Sequence, residues 1–298
     1  MAKKSGLGNN LFISGYDLSG DVGAISNIAS TRGVQDVTSI NKSAHERLLT
    51  HSDSTIEFNS FFNDAALAEH VALSGLPTTD RIVTFLMGST LGDSACAMTG
   101  KQLNYDASRT ADGGLTFAVT VQGSAGIPLE WGISGTAGKV THSSATNIGS
   151  IDNSASTSSG ASAYLQVFAV SSGDCVVKVQ HSSNDASWSD LITFTSADDI
   201  TSERATVSGT INRYLTCREV SCLHYLQGWK TVLADNDSDN INWIRNKSGL
   251  KFSEEKQHGT ITFIFYAGQN CFRRNTHVIS LDRPAIFGVD NGQGFRKQ

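Results

Sequence analysis

The chain is 298 residues long, 39% hydrophobic and only 17% charged, with a formal net charge of −5. That balance is too apolar for a disordered chain and long enough to bury real cores, while the acidic excess argues against a general nucleic-acid coat, which needs a basic face. No run approaches the ~18 uninterrupted apolar residues that span a membrane, and the opening MAKKSGLGNNLF has no apolar segment behind its lysines, so no secretory leader is expected.

Composition changes along the chain. Residues 1–131 hold 8 Lys/Arg and 13 Asp/Glu, residues 132–216 are one-third Ser and Thr, and residues 217–298 carry 11 Lys/Arg and a net +3. The division expected is an assembly domain at 1–134, a Ser/Gly-rich linker at 135–161, a β-sandwich at 162–216 and an unassigned region at 217–298. The linker is small and polar with no apolar period, which is the composition of a flexible connector.

In chain order, the run from Ser14 to Ser43 reads as a long Gly/Ser-rich loop and Ser43 to Thr50 as a short helix. Thr55 to Phe62 alternates and suits a half-buried strand. Asn63 or Asp64 then caps a helix over 65–73, with Gly75 and Pro77 ending it. Strands are expected at Arg81–Met87 and, after an Asp112-Gly113-Gly114 turn, at Leu115–Val121. Further on, Ser162–Val170, Cys175–Gln180, Asp190–Ser196 and Ala205–Thr210 follow one another at roughly ten-residue spacing, the rhythm of a sandwich. Gly259 to Tyr266 reads as one more strand and Phe287 to Phe295 as a loose tail. The last 80 residues match no known pattern. They close the sandwich, form a separate module or stay partly folded.

Chemical motifs are sparse. There is no nucleophile elbow, phosphate loop or paired-histidine helix, so no enzymatic activity and no cofactor are expected. The five cysteines, at 96, 175, 217, 222 and 271, are expected reduced and mostly buried. Cys217, Cys222 and His224 would need the distant Cys271, His258 or His277 to complete a zinc set, so no metal is assigned. Asp235, Asp237 and Asp239 open like a calcium loop, but Asn240 replaces the turn glycine and Asn246 the bidentate glutamate, leaving an acidic turn as the expectation. The pairs Arg273-Arg274 and Arg296-Lys297 read as solvated charges.

One resemblance rests on an ordered set of segments: LFISGYDLSGDVGAISN at 11–27, ERLLTHSDSTIEFNSFFN at 46–63, TDRIVTFLMG at 79–88, GGLTFAVTVQGS at 113–124 and PLEWG at 128–132. Together they resemble the tail tube (major tail) proteins of long-tailed bacteriophages. SAYLQVFAV at 162–170 and CVVKVQHSSNDASWSDL at 175–191 look like the β-sandwich appendage that some of these proteins carry outside the tube. The resemblance implies a mainly β fold (α+β): a tail-tube-like β-barrel or sandwich with one or two short helices, then a jelly-roll or immunoglobulin-like sandwich.

It also implies a structural virion protein that self-assembles into stacked rings around a DNA conduit. The implied partners are copies of itself, other tail proteins such as tape measure and tail tip, and passing DNA, with no membrane. It implies assembly in the host cytoplasm, with Leu11, Phe12, Ile13, Tyr16, Leu18 and Val22 assigned to self-association. Deleting residues 14–30 is then expected to leave folded monomers that do not polymerise. The rival reading is a carbohydrate- or cell-surface-binding module acting through Trp188, Asn184 and Asp185, with Trp188 alternatively a core plug.

Overall fold

The computed structural model describes residues 5–142, 144–170 and 175–219, together with the backbone of 224–227. Those residues are mainly β. The first sheet is wholly antiparallel and comprises β1 (Asn10–Ile13), β2 (Tyr16–Asp17), β3 (Val22–Asp36), β4 (Arg47–Phe61), β5 (Arg81–Leu86), β6 (Ser94–Gln102), β7 (Asp106–Arg109), β8 (Leu115–Gly123) and β9 (Glu130–Ile133). Strand order is β2-β1-β5-β6-β8-β4-β3, with β7 hydrogen-bonded to β8 and β9 to β6.

Alternation decides which face each strand buries. Leu11 and Ile13 join Ile56, Phe58, Val83, Phe85, Met98, Val119 and Val121 in one core. The single helix between β4 and β5, α1 (Glu69–Leu73), closes that core with Ala72 and Leu73. It is shorter than the 65–73 expected. Asn63 Oδ1 accepts the Ala65 N–H at 3.1 Å and so shapes a turn instead of a cap, and Leu67 then takes a positive φ of 65°. The left-handed residue delays regular helix until Glu69.

The second part is a two-sheet sandwich built from β10 (Val140–His142), β11 (Thr146–Asp152), β12 (Ala161–Val170), β13 (Val177–Ser182), β14 (Ser189–Thr193), β15 (Thr201–Val207), β16 (Tyr214–Glu219) and β17 (His224–Gln227). One sheet runs β10-β17-β12-β15 and the other β11-β16-β13-β14. Ala163, Leu165 and Val167 of β12 pack between the sheets against Val177, Val179, Ile192 and Cys217.

The other face of β12 meets the first sheet. Phe168 packs edge-on to Phe12 with ring centroids 5.3 Å apart, and Tyr164 packs on Ile82 and Ala97. Gln166 Oε1 accepts the Gly15 N–H at 2.7 Å, while its Nε2 donates to the Ile82 carbonyl at 3.1 Å and to Thr84 Oγ1 at 3.2 Å. Gly15 is confined by this contact: it has φ +82°, and a Cβ there would lie 2.6 Å from the Val167 carbonyl oxygen. Glu130 of β9 accepts hydrogen bonds from Ser162 Oγ at 2.7 Å and from Arg204 Nε at 3.1 Å and Nη2 at 3.2 Å, and it also accepts the Tyr164 hydroxyl. Burial and the Glu130 charge push the Tyr164 hydroxyl far above its ordinary range. β5 and β12 are thus buried on both faces, and the sandwich shares a seam with the first sheet.

Three expectations change. Residues 135–161 are not a free connector, since they supply β10 and β11 to the two sandwich sheets, with Ser134 and Thr136 fully buried beside them. Backbone ladder bonds do not require apolar side chains, so a polar composition concealed the strands. The loop from Ser14 to Ser43 is largely β2 and β3, and the helix over 43–50 is the start of β4: Asp36 pairs with Arg47, Gln35 with Leu48 and Val34 with Leu49. A partner strand 15 residues long supplies the hydrogen bonds that a local helix would otherwise have made. The readings at 228–298, including the Gly259–Tyr266 strand and the Asp235 loop, lie outside the described residues.

Candidate assembly surface

β3 and β4 form one long antiparallel hairpin whose two halves have different surroundings. Near its root, Ile56, Phe58 and Ser60 point inward, and β4 is held against β8 from Thr55–Gln122 to Phe61–Thr116. From Ser30 to Asp53 every described side chain is exposed apart from a half-covered Thr38. The ladder slips between Val22 and Ala24, between Ile25 and Asn27, and between Arg32 and Val34. Such bulges add twist and turn a hairpin away from the sheet that carries it.

The tip is knitted by short polar contacts. Asp36 Oδ1 accepts the Thr38 N–H at 2.9 Å and also its hydroxyl, and Thr38 Oγ1 accepts the Glu46 N–H at 2.9 Å. His45 Nδ1 lies 2.8 Å from Asp36 Oδ2, and Lys42 pairs with Glu46 at 2.9 Å. The Thr38 hydrogen bonds hold the Asp36 carboxyl below its usual range. The tip is therefore shaped without burying anything, and Val34, Val37, Ile40, Leu48 and Leu49 stand exposed on it, Ile40 completely.

At the other end of β4 lies a second exposed apolar group. Phe61, Phe62, Leu67, Val71 and Leu76 are exposed around α1. The Phe61 ring lies over Gly23, where a Cβ would come within 2.8 Å of it. Phe62 packs on His70 with centroids 5.1 Å apart, and Tyr105 stacks on Phe117 at 4.2 Å. Beneath them Glu69 is fully buried and accepts Ser60 Oγ at 2.6 Å and Tyr105 OH at 2.9 Å, so the carboxyl group that α1 carries inward is hydrogen-bonded by hydroxyls. Asp21 ties this root together, accepting Asn63 Nδ2 at 2.7 Å and the Glu69 N–H at 3.2 Å. The two patches hold ten of the twelve large exposed hydrophobic residues among those described.

The residues assigned from sequence to self-association fall elsewhere. Leu11, Phe12, Ile13 and Leu18 are buried inside this chain, and Tyr16 and Val22 pack partly against the same core. A side chain filling its own core is not available to a second copy, so that assignment is corrected. Apolar character marked them, and it marks core and interface alike. The arm itself was legible only as an oversized connection. Its hairpin was hidden because both its faces are wet and no alternation survives in ASTRGVQD.

The residues of the rival binding reading sit at the β13–β14 turn. Asn184 Oδ1 accepts the Ala186 N–H at 3.1 Å and the Ser187 N–H at 2.9 Å, so that oxygen is spent on the turn itself. Asp185 holds φ 58° and is exposed, and Trp188 is half-buried. Cys96, Cys175 and Cys217 are buried. Among the described residues no helix is long and apolar enough to cross a membrane, and no His, Cys, Asp or Glu side chains group in threes as a metal set.

No family model and no curated protein matches the chain. Among solved structures, it aligns over 39% of its length with 91% of a subunit from the tail of an empty GTA particle of C6 symmetry, at 16% identity and a TM-score of 0.31. It aligns over 75% with 98% of the SPP1 Dit protein, a hub of the adsorption apparatus of phages infecting Gram-positive bacteria, at 10% identity and a TM-score of 0.29. The phage p2 baseplate in its activated conformation gives 75% coverage of this chain and 97% of that one, at 7% identity and a TM-score of 0.28.

Proposed function

We propose that this protein is a structural subunit of a bacteriophage tail, self-assembling into stacked rings that form the conduit for DNA. The observation that carries the reading is the β3–β4 arm, a hairpin whose distal half is exposed on both faces and whose β3 edge is unpaired among the described residues. An open edge with exposed apolar side chains is an aggregation liability in a monomer and a productive joint in an assembly. The segment resemblance to tail tube proteins supports the same reading. So does the charge of residues 1–131, with 8 basic against 13 acidic groups, because a basic lining would grip phosphates and hold the strand.

The test replaces residues 32–52 with a two-residue Asn-Gly turn, joining Thr31 to Asp53, its cross-strand partner. This differs from deleting 14–30, which would remove Leu18, a fully buried core residue. Negative-stain microscopy and light scattering over a concentration series are expected to show rings or hollow rods for the native chain and folded monomers for the trimmed one. Native protein that stays monomeric throughout, or a trimmed chain that assembles equally well, overturns the proposal.

A further inference from the structure

Arg204 and Arg213 each turn the Nε–Nη2 edge of the guanidinium to a carboxylate. Arg204 meets Glu130 at 3.1 and 3.2 Å, and Arg213 meets Asp152 at 2.6 Å through both nitrogens. That edge carries two parallel N–H groups whose spacing matches two oxygens of a carboxylate or a phosphate. The two side chains keep 21% and 43% of their exposure. Arg81, the first residue of β5, is buried more deeply, at 5%, and donates to no carboxylate among the described residues.

Its partners are neutral. Nη1 donates to the Ala72 carbonyl at 2.7 Å and to Gln102 Oε1 at 2.8 Å, and Gln102 Nε2 donates to the Leu73 carbonyl at 2.8 Å. Those carbonyls belong to the last turn of α1, which lacks intrahelical donors, so Nη1 is accounted for as its cap. The Nε–Nη2 edge is not. Nε reaches only Ser14 Oγ, at 3.4 Å, and Nη2 donates to no described residue. Nη2 is not among the sealed unpartnered atoms either, so it opens to the surface. The acids of the neighbouring segments are committed elsewhere: Asp80 to Lys101 at 2.8 Å, Asp17 to Lys139 at 2.6 Å, and Glu69 to Ser60 and Tyr105. Burial lowers the basicity of Arg81, and what offsets this is the Tyr16 phenol, not a carboxylate. A guanidinium does not escape burial by deprotonating, and buried charges are ordinarily paired.

We infer that the Nε–Nη2 edge of Arg81, with the Ser14 hydroxyl beside it, is a binding site for a terminal oxyanion, a phosphate or carboxylate group. Ser14 Oγ accepts from Nε, so its own proton is free to donate to the same anion. An opening that exposes only 5% of the arginine is narrow. It admits the end of a small molecule and excludes a phosphodiester, which carries chain on both sides, so nucleic acid is not the ligand. The site is independent of the tail-subunit reading and stands or falls by itself.

Isothermal titration calorimetry and thermal melts of the full chain test it, with inorganic phosphate, methyl phosphate and acetate as probes and sodium chloride holding ionic strength constant. Phosphate at ten times its Kd is expected to raise the melting temperature by roughly 3–6 °C over chloride. Arg81→Lys keeps the charge and loses the fork, and is expected to weaken phosphate binding by about tenfold or more. Ser14→Ala leaves the guanidinium and its cap in place and is expected to weaken binding by about fivefold, the loss of one hydrogen bond. Methyl phosphate binding as tightly as phosphate assigns the site to a monoester, and acetate binding more tightly than both assigns it to a carboxylate.

If all three anions leave the melting temperature where chloride puts it and give no binding heat, the site is overturned. It is equally overturned if Arg81→Lys binds phosphate as the native chain does, because the ion then sits elsewhere. Should Arg81→Lys fail to fold, Ser14→Ala decides: phosphate affinity unchanged by that substitution overturns the site.

Discussion

Replacing Glu130 with Ala removes the carboxylate at the centre of the seam between the first sheet and the sandwich. Arg204 loses both its ion-pair hydrogen bonds at 3.1 and 3.2 Å, Ser162 loses its acceptor at 2.7 Å, and the Tyr164 hydroxyl loses the group it donates to. The side chains of Glu130 and Arg204 retain only 10% and 21% of their exposure, so water replaces little of what is lost. Removing one partner of such a pair costs about 3 kcal/mol, equivalent for a domain of this size to a melting temperature lower by roughly 6–12 °C.

Tyr164→Phe, which leaves the Glu130–Arg204 pair in place, is expected to cost only about 1 kcal/mol. Differential scanning calorimetry reads both. Because β5 and β12 are each buried on both faces, the first sheet and the sandwich are expected to melt in one transition in every variant. A loss below 1 kcal/mol for Glu130→Ala would refute the seam energetics. A Glu130→Ala thermogram that splits into two transitions would refute the shared core.

The other tests follow from single residues. Gly15→Ala is expected to cost about 2–5 kcal/mol, combining a left-handed backbone with a Cβ pressed against the Val167 carbonyl. Urea titration reads it, and a loss under 1 kcal/mol would mean that the β1–β2 turn does not press on β12. Glu219 is fully buried, and burial pushes its carboxyl up to about 8. Since its proton is held in the folded state across a window where the unfolded chain has released it, stability falls as pH rises from about 4.5 to 8, by at most ~1.4 kcal/mol per unit. Glu219→Gln removes that slope. The gap between variant and native melting temperatures should widen from pH 5 to pH 8, and a constant gap sinks the assignment. His142, whose Nε2 lies 3.9 Å from Glu219, is shifted down by burial and acts in the opposite sense, losing stability below about pH 6.5 in both proteins.

Much of the chain was readable one residue at a time. Strands at Arg81–Leu86, Leu115–Gly123 and Ala161–Val170 declare themselves because each buries at least one face, and burial writes alternation or an unbroken apolar run into the sequence. The turn at Asp112-Gly113-Gly114 and the helix stop before Pro77 are equally local, since backbone sterics decide them whatever else the fold does.

What no local pattern contains is the partner of each face. ASAYLQVFAV looks like any sandwich strand, yet only the packed structure shows Tyr164, Gln166 and Phe168 committed to the first sheet, so that the sandwich is not a tethered appendage. Leu11, Phe12 and Ile13 are apolar in sequence, and only packing separates a core residue from an assembly residue. The β3–β4 arm is the converse. Both its faces are wet, its hydrogen bonds come from a strand 26 residues away in register at Ala29–Thr55, and a ladder of backbone groups leaves no signature in side chains. Composition and backbone preference settled where this chain bends and that it is mainly β. Long-range pairing alone settled which surfaces it hides and which it leaves exposed.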